Sequence, residues 1–154
     1  MPDQKNYSIE QIKDQTNLNY ALAIRAIVFI EEQKCPFDEE VDSYDLLNNP
    51  NVIHFIVKEN NQPIATARVI FPEEHEVKLG RIAILKDFRR KGLGTHFMKH
   101  LIQRLKTDRY THISIHAQEH LQSFYEELGF CREGDIFDEA GIPHIKMFQS
   151  LVLD

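Results

Sequence analysis

The stretch between residues 77 and 117 constrains the fold of this chain most strongly, because three elements follow one another there with short connections. Residues 77–85 and 112–117 have the apolar character of strands. Between them, apolar side chains recur at helical period on one stripe, namely Leu93, Phe97, Leu101 and Leu105, with Met98 and Ile102 beside them. Strand, helix and strand in this order form a right-handed crossover between parallel neighbours. The sequence therefore predicts a sheet with a parallel pair.

Further strands are predicted on both sides of this crossover, at residues 7–12, 52–57, 64–71, 130–137 and 144–151. The strand at 52–57 is nearly all apolar, so we expect it to be covered on both faces. Residues 59–63 are typical of a hairpin turn, and Pro72 is expected to end the strand after it. The fold class is thus α/β of the mixed α+β type, with a central mixed sheet of about seven strands flanked by helices.

Two more helices are predicted outside the crossover. Asn17 is the expected cap of a helix that runs from about residue 18 to residue 33. Residues 121–128 form the other, and Gly129 suits the left-handed residue that ends a helix. The acidic segment 38–45 is expected to be a loop or a short helix.

Length and charge limit the class of protein. A chain of 154 residues is long enough for one hydrophobic core and too short for two comfortable ones, so residues 1–154 are predicted to form one domain. The formal charge of −6 argues against a nucleic-acid binder, which needs a basic face for phosphates. It fits a small cationic amine better.

Cysteine usage and the N-terminus indicate a cytoplasmic protein. Cys35 and Cys131 lack the spacing of a disulfide framework, and no residues have the spacing of metal ligands. The first ten residues lack the basic patch and apolar core of a signal peptide. The most apolar stretch, 21–30, is interrupted by Arg25 and is too short to cross a bilayer.

A cationic, glycine-containing loop precedes the predicted crossover helix: Arg89, Arg90, Lys91, Gly92, Leu93, Gly94 and Thr95. The first N–H groups of a helix have no partner within it and lie at the positive end of its dipole, so anions bind there. Glycines at 92 and 94 remove the Cβ atoms that would keep a pyrophosphate away. The loop therefore predicts a pyrophosphate site. Its three consecutive cationic side chains would strengthen the binding of an anion there.

Two other phosphate loops are disfavoured. A dinucleotide fingerprint requires a third glycine where this chain has Phe97, and an acidic residue at the end of the next strand, which reads Ile115-His116-Ala117. A Walker loop requires Gly-Lys-Ser/Thr, which does not occur. A lone Gly-x-Gly is more often a tight turn with solvated charges, and the flanking strand and helix are what favour a site here.

A second motif lies on the last predicted helix: Phe124-Tyr125-Glu126-Glu127-Leu128-Gly129-Phe130. Together with Arg89-x-x-Gly92-x-Gly94 it resembles the GNAT N-acetyltransferase superfamily, and the spacing between the two motifs matches as well. Four further segments resemble its ElaA-like branch, at residues 28–36, 80–84, 117–118 and 141–145. Gln118 stands where many superfamily members have Asn, and Leu121 where many have Ala.

The resemblance implies a GNAT-like acyl-CoA N-acyltransferase fold with acetyl-CoA as co-substrate. The CoA pyrophosphate would lie on the backbone N–H groups from Arg89 to Thr95. The pantetheine arm would run along Ile82, Ala83 and Ile84 and contact Gln118, with the thioester between strands that splay apart. The acetyl group would pass to a primary amine of a small molecule by direct attack.

Tyr125 is the catalytic residue that the resemblance implies, as the general acid for the departing thiolate. The attacking amine must first lose a proton, since a lysine-like amine has a pKa of about 10.4. A backbone N–H near Ile84 is expected to stabilise the carbonyl oxygen. In water, proton transfer from a phenol to a thiolate is uphill by about 2 kcal/mol. Tyr125 therefore acts as an acid, or only orients the sulfur, or is one more apolar helix residue beside Phe124.

The residues that bind or deprotonate the amine are less well defined. The candidates are Glu32, Asp42, Asp45, His54, His116 and His144. Glu32 and Asp42 flank a proline-containing turn, in a region that often covers the acceptor in this superfamily. Any one of these acids, taken alone, is more often a solvated surface group.

The histidines and two arginines are distinguished by their neighbours. His116 and His144 lie on strands that the family places near the thioester, so they are the stronger candidates. His54 lies inside an apolar strand and is expected to be a hydrogen-bonded core residue. Arg25 and Arg81 are expected to pair with the acids or to hold an acceptor carboxylate.

Two functions of other classes stay open. One is a non-catalytic acyl-CoA-binding regulatory module, and the other is an interaction domain that binds no CoA. The presence of Tyr125, the expected catalytic residue, argues against the non-catalytic module. The acceptor is also open among polyamines, amino acids, aminosugars, antibiotics and protein N-termini. No metal, nucleic-acid or membrane partner is predicted. A homodimer is the first assembly to test, because two-fold dimers are the commonest.

Overall fold

A computed structural model describes residues 7–151 of the chain. Its strands are β1 Tyr7–Gln11, β2 Val52–Glu59, β3 Gln62–Glu73, β4 Glu76–Ile84, β5 His112–Gln118, β6 Cys131–Glu139 and β7 Ile142–Ser150. Its helices are α1 Gln15–Arg25, a π-helix Ala26–Glu32, α2 Phe37–Glu40, α3 Leu93–Thr107 and α4 Gln122–Glu127. Short 3₁₀ turns cover Ser43–Asp45, Lys86–Phe88 and Glu119–Leu121. Every predicted strand and helix is present, with ends shifted by a few residues.

The seven strands form one sheet in the order β1-β2-β3-β4-β5-β7-β6. β4 and β5 are parallel, with Glu76 opposite His112 and Leu79 opposite Ile115, and α3 lies between them in the chain. β1 pairs antiparallel with β2, and β7 pairs antiparallel with both β5 and β6. The predicted parallel crossover and the mixed α/β sheet are confirmed.

The start of the first helix corrects the sequence prediction. Asp14, and not Asn17, is the N-cap, because the Asp14 carboxylate accepts a hydrogen bond from the Asn17 backbone N–H at 2.8 Å. The Asn17 side chain itself donates to Asp14 at 3.3 Å. The helix therefore begins at Gln15 and not at residue 18.

Two other element boundaries differ from the prediction. The helix predicted to run to residue 33 is α-helical only to Arg25, after which it widens into the π-helix. π-Helical turns are rare in proteins, and those that occur are often found at functional sites. Pro72 does not end β3, which continues to Glu73. Pro72 is exposed near the end of the strand, where a missing N–H donor is tolerated.

Residue contacts divide the chain into two compact units, of which the first contains residues up to Arg68 together with Arg81–Gly94. Its core has two apolar groups, one of Ile12, Leu18, Ala21 and Ile56, and the other of Ile24, Val28 and Ala83. α1 and the π-helix thus pack on β2 and the end of β4. Four consecutive residues of β2 are buried, from His54 to Val57, which confirms that this strand is covered on both faces.

The second unit contains Val69–Gly80 and the chain from Thr95 onward. The apolar stripe of α3 is buried as predicted, at Phe97, Met98, Leu101 and Leu105. β5 alternates, with Ile113, Ile115 and Ala117 buried and Ser114, His116 and Gln118 half-buried. One face of β5 therefore keeps polar side chains partly accessible.

Gly129 ends α4 in the predicted left-handed conformation, with a φ of 100°. A Cβ at this position would lie 2.6 Å from the Gln149 side-chain nitrogen. The left-handed backbone favours glycine here, and a larger residue would also displace the end of the Gln149 side chain.

Candidate active site

The predicted pyrophosphate loop connects β4 to α3. After the 3₁₀ turn Lys86–Phe88, Arg90 and Gly92 take left-handed backbone conformations, with φ of 61° and 80°. A Cβ added at Gly92 would meet nothing within 4 Å, so open space lies beside the backbone. The first N–H groups of the 15-residue helix α3 follow directly. This backbone suits an anion at a helix N-terminus.

Arg89 uses its side chain to hold this loop. Its Nη2 lies 2.8 Å from Glu32 Oε2, and its Nε donates to the Ile84 carbonyl oxygen at 2.8 Å. Glu32 ends the π-helix and Ile84 ends β4, so one guanidinium joins three segments of the first unit. The predicted anion contact Arg89 and the predicted acceptor residue Glu32 are thus ion-pair partners. Arg90 and Lys91 are exposed beside them.

The strand end predicted to contact pantetheine has an irregular backbone just before it. Arg81 has a φ of 48°, which is unusual for a residue other than glycine. Ala83 is buried in the core of the first unit, whereas Ile82 and Ile84 are half-buried. Because an irregular residue in a strand changes which way the later side chains point, Arg81 influences how residues 82–84 are presented.

A buried ion network begins at Arg25, which is 1% exposed. Its Nε lies 2.7 Å from Glu40 Oε1, and its Nη1 lies 2.6 Å from Asp45 Oδ1. Its Nη2 also donates to the Glu40 carbonyl oxygen at 2.9 Å. Burial by itself would raise the pKa of Asp45, but the hydrogen bond and charge of Arg25 lower it overall. Asp45 is therefore an ionised structural partner of Arg25.

Asp42, Arg68 and Arg81 complete the network. Arg68 Nη1 lies 2.8 Å from Asp42 Oδ1 and 3.2 Å from Asp45 Oδ1. Arg81 Nη2 lies 3.6 Å from Asp42 Oδ2, and its Nε donates to the Glu40 carbonyl oxygen at 3.2 Å. Three arginines thus balance three carboxylates. Asp42, a predicted acceptor residue, is engaged by two of the arginines, while its side chain stays 36% exposed.

Sequence reasoning missed two members of this network, Glu40 and Arg68. Arg68 and Asp42 are 26 residues apart, so no local spacing connects them. The one usable signal is Arg68 itself, a charged residue in a strand of apolar neighbours. A buried charge in such a strand needs a partner of opposite sign. Arg25 and Arg81 pair with acids, which was one of the two predicted roles.

His54 is a hydrogen-bonded core residue. Its Nε2 lies 2.9 Å from the Tyr44 carbonyl oxygen, so this nitrogen carries the proton. The side chain is buried within β2, and burial lowers its pKa. The predicted core role is confirmed.

His116 and His144 meet at one carboxylate in the second unit. His116 Nδ1 lies 2.9 Å from Glu139 Oε1, and His144 Nε2 lies 3.7 Å from Glu139 Oε2. Phe137 contacts both rings, edge-on to His116 at 5.0 Å and stacked on His144 at 6.0 Å between centroids. The structure thus joins the two predicted histidines through Glu139, which sequence reasoning missed.

Gln118, the predicted pantetheine contact, lies beside this histidine cluster. It is the direct partner of His144 across the β5–β7 pair. Gln118 and His116 are two residues apart on β5, so their side chains share a face. Both are half-buried. The second unit therefore brings a predicted cofactor residue and the acceptor histidines to one end of β5.

Tyr125 lies on α4 and is 5% exposed. Its ring stands edge-on to Phe124 and Phe130, with centroids 5.1 and 5.8 Å away. Burial raises the pKa of Tyr125 well above its usual value. The phenol therefore keeps its proton and is a weaker acid than in water. Its environment favours hydrogen-bond donation over proton transfer.

The described residues contain neither a metal-ligand cluster nor a membrane-spanning helix. Among the side chains that the structure describes within residues 7–151, no three of His, Cys, Asp or Glu are grouped so that they could hold a metal ion. No helix in the same range combines the length and the apolar character needed to cross a bilayer. Neither Cys35 nor Cys131 forms a disulfide.

Sequence comparisons connect the chain to known proteins. The acetyltransferase (GNAT) domain family matches residues 31–151. The Bacillus subtilis protein YyaT is 36% identical to the chain, over 94% of this chain and 96% of YyaT. Escherichia coli ElaA is 29% identical, over 85% of this chain and 86% of ElaA.

Solved structures share the fold. The crystal structure of E. coli ElaA aligns with a TM-score of 0.82 and 26% identity, over 93% of this chain and 99% of ElaA. An acyl-CoA N-acyltransferase from Pseudomonas aeruginosa aligns with a TM-score of 0.81 and 30% identity, over 95% of this chain and 99% of the relative. Since the family match covers most of its length, the chain belongs to the GNAT acetyltransferase family, in the branch that includes ElaA.

Proposed function

We propose that this protein transfers an acetyl group from acetyl-CoA to a primary amine of a small molecule, by direct attack of the amine on the thioester. The family assignment supports acyl transfer, and the P. aeruginosa relative is named an acyl-CoA N-acyltransferase. The observation that carries the proposal is the left-handed turn at Gly92, which leads directly into the first turn of α3.

In the proposed complex, backbone N–H groups from Arg89 to Thr95 bind the pyrophosphate of CoA. The open space beside Gly92 would let phosphate oxygens come within hydrogen-bond distance of the backbone. The exposed Arg90 and Lys91 side chains add two positive charges, while Arg89 keeps the loop in place through Glu32. Pantetheine contacts are assigned to residues 82–84 and to Gln118.

Three events make up the proposed chemistry. The ammonium of the acceptor loses a proton, since only an uncharged amine attacks a carbonyl carbon. A backbone N–H near Ile84 then stabilises the negative charge on the thioester oxygen. Tyr125 donates a hydrogen bond to the departing sulfur, a role that its raised pKa supports more than full proton transfer.

The acceptor is proposed to be a small cationic amine. The formal charge of −6 favours a cationic partner. Glu32 is paired with Arg89, and Asp42 is paired with Arg68 and Arg81. Both carboxylates therefore already have cationic partners within the chain. We therefore assign acceptor contacts first to the side of the histidine cluster.

The proposal is tested by acetyl-CoA turnover against a panel of small primary amines, with detection of the released thiol. Thiol release that depends on an amine supports it. A rise in melting temperature with CoA but no thiol release with any amine would instead favour a non-catalytic acyl-CoA-binding module. An unchanged melting temperature with CoA would contradict both functions.

We also propose that the chain acts as one catalytic domain in the cytoplasm. The match of one family domain to residues 31–151 supports one domain over residues 1–154. Two cysteines without a disulfide are compatible with a reducing compartment. Limited proteolysis checks the first point, because a single domain resists cleavage between the two units.

A further inference from the structure

The hydrogen bond between His116 and Glu139 determines which imidazole nitrogen carries the proton. An ionised carboxylate only accepts hydrogen bonds, so His116 Nδ1 donates to Glu139 Oε1 at 2.9 Å. The pKa of Glu139 is lowered, chiefly by the hydrogen bond from His116 and further by nearby positive charge such as that of Lys78, against the effect of burial. Glu139 is thus ionised at neutral pH. The neutral His116 ring therefore has its lone pair on Nε2.

The Nε2 atom of His116 is not the nitrogen that binds Glu139. The side chain is 29% exposed, and among residues 7–151 its described polar partner is Glu139, at Nδ1. Phe137 holds the ring edge-on from another side. A general base needs a fixed orientation, a fixed tautomer and an accessible lone pair, and the contacts and partial exposure of His116 fit these requirements.

His144 differs from His116 in its exposure. Its Nδ1 lies 2.7 Å from the Ile142 carbonyl oxygen, so that nitrogen donates. Its Nε2 faces Glu139 at 3.7 Å, and the side chain is 9% exposed. His144 is therefore the more buried of the two rings beside Glu139, and His116 is the more accessible one.

The position of His116 connects it to the proposed cofactor site. Gln118, assigned to pantetheine, is two residues further along β5 on the same face. Two residues of a strand span about 7 Å, which is a short distance for an acceptor molecule to bridge. His116 is therefore near enough to Gln118 for a small amine to contact both.

We propose that His116 is the general base of the acetyl transfer and that Glu139 positions it, an inference that rests on the proposed function. Nε2 takes one proton from the acceptor ammonium, and the freed nitrogen lone pair forms a bond to the thioester carbon. The carbon–sulfur bond then breaks with its electron pair on sulfur. The nitrogen loses a second proton as the sulfur gains one, so the products are an amide, CoA thiol and one released proton.

The first test reads the tautomer of His116 by ¹⁵N–¹H NMR correlation of the imidazole rings, and needs no acceptor. In the wild-type protein above pH 8, we expect His116 to carry its proton on Nδ1. Glu139→Gln should produce a mixture of tautomers, because an amide can donate as well as accept. Glu133→Gln is the matched control, since Glu133 lies on the same strand and pairs with exposed Lys146 at 3.7 Å. A wild-type proton on Nε2 would overturn the proposal whatever the activity.

The second test compares two nucleophiles in the wild type and in His116→Gln, at saturating acetyl-CoA and pH 7. n-Propylamine is almost fully protonated at this pH and needs a base, whereas methoxyamine is uncharged. We expect His116→Gln to lower kcat/KM for n-propylamine by about 100-fold or more, and for methoxyamine by less than about tenfold. Glu139→Gln should lower kcat/KM for n-propylamine by about tenfold. Glu139→Asp keeps a carboxylate, so its kcat/KM should lie between those of Glu139→Gln and the wild type.

The outcomes separate this inference from the proposed function. Equal losses for both amines in His116→Gln would overturn the base role while amine acetylation stands. A wild-type protein that acetylates neither amine, nor any amine of the panel, would overturn the proposed function and the base role together. Thermal melting of each variant confirms that it is folded.

Discussion

Arg25 and Asp45 form a bidentate ion pair inside the first unit, with Nη1 2.6 Å from Oδ1 and Nη2 3.0 Å from Oδ2. Arg25 is the last residue of α1, and Asp45 ends a 3₁₀ turn twenty residues later. The pair fixes the acidic segment against the point where α1 becomes a π-helix. The same π-helix ends at Glu32, which holds the Arg89 side chain of the proposed CoA loop.

Replacing Arg25 with Met should destabilise the protein strongly. The variant leaves Glu40 and Asp45 buried without their main cation, and breaking a buried pair in this way costs about 3–5 kcal/mol. Urea unfolding measures the loss. Arg104→Met is the control, because Arg104 and Asp108 form an exposed pair at 2.9 Å that contributes about 0.5 kcal/mol or less. Similar losses in both variants would show that the buried network adds little.

Acid should weaken the fold through Asp45. Burial alone would raise the pKa of Asp45, but Arg25 lowers it overall, so the folded-state pKa lies below the unfolded value. As pH falls, the unfolded chain binds the proton first, and the stabilisation is lost below the unfolded value of about 3.9. Unfolding free energies between pH 6 and pH 3 should therefore fall more steeply in the wild type than in Asp45→Asn. Parallel slopes would contradict this account.

Gly92→Val should abolish CoA binding. The valine side chain would fill the open space beside the loop backbone and would strain a residue with a φ of 80°. Gly134→Val is a matched control, because Gly134 has a φ of 86° and nothing within 4 Å of its Cβ position. Both variants should lose about 1–2 kcal/mol of stability. Calorimetry should detect CoA binding to the Gly134 variant alone, and retained binding by Gly92→Val would show that the loop is not the pyrophosphate site.

Tyr125→Phe should lower kcat by about tenfold or more and leave the Kd for CoA almost unchanged. The substitution removes the hydroxyl that is proposed to contact the sulfur, while the ring keeps its contacts with Phe124 and Phe130. Steady-state kinetics and calorimetry measure the two quantities. Tyr110→Phe is the control, since Tyr110 stacks on Phe71 at 5.2 Å and has no proposed catalytic role. If kcat is the same in Tyr125→Phe and the wild type, the hydroxyl has no part in the reaction.

Features that depend on neighbours in the chain could be predicted from the sequence. The apolar stripe of α3, the left-handed Gly129 and the strand–loop–helix arrangement at Gly92 are all present as expected. The wrong prediction of Asn17 as the N-cap of α1 also concerns residues that are close in the chain. Both Asp14 and Asn17 are suitable caps, and the choice depends on which side chain reaches a free backbone N–H.

Partners distant in sequence were decided by the tertiary structure. The sequence by itself determined the order of the elements, the parallel crossover and the glycine loop, because period, turns and caps act over a few residues. It indicated His116 and His144 as candidates, but Glu139 joins them from 23 residues beyond His116. Which charge meets which depends on strand order and on the packing of segments far apart in the chain, and only the folded molecule fixes both.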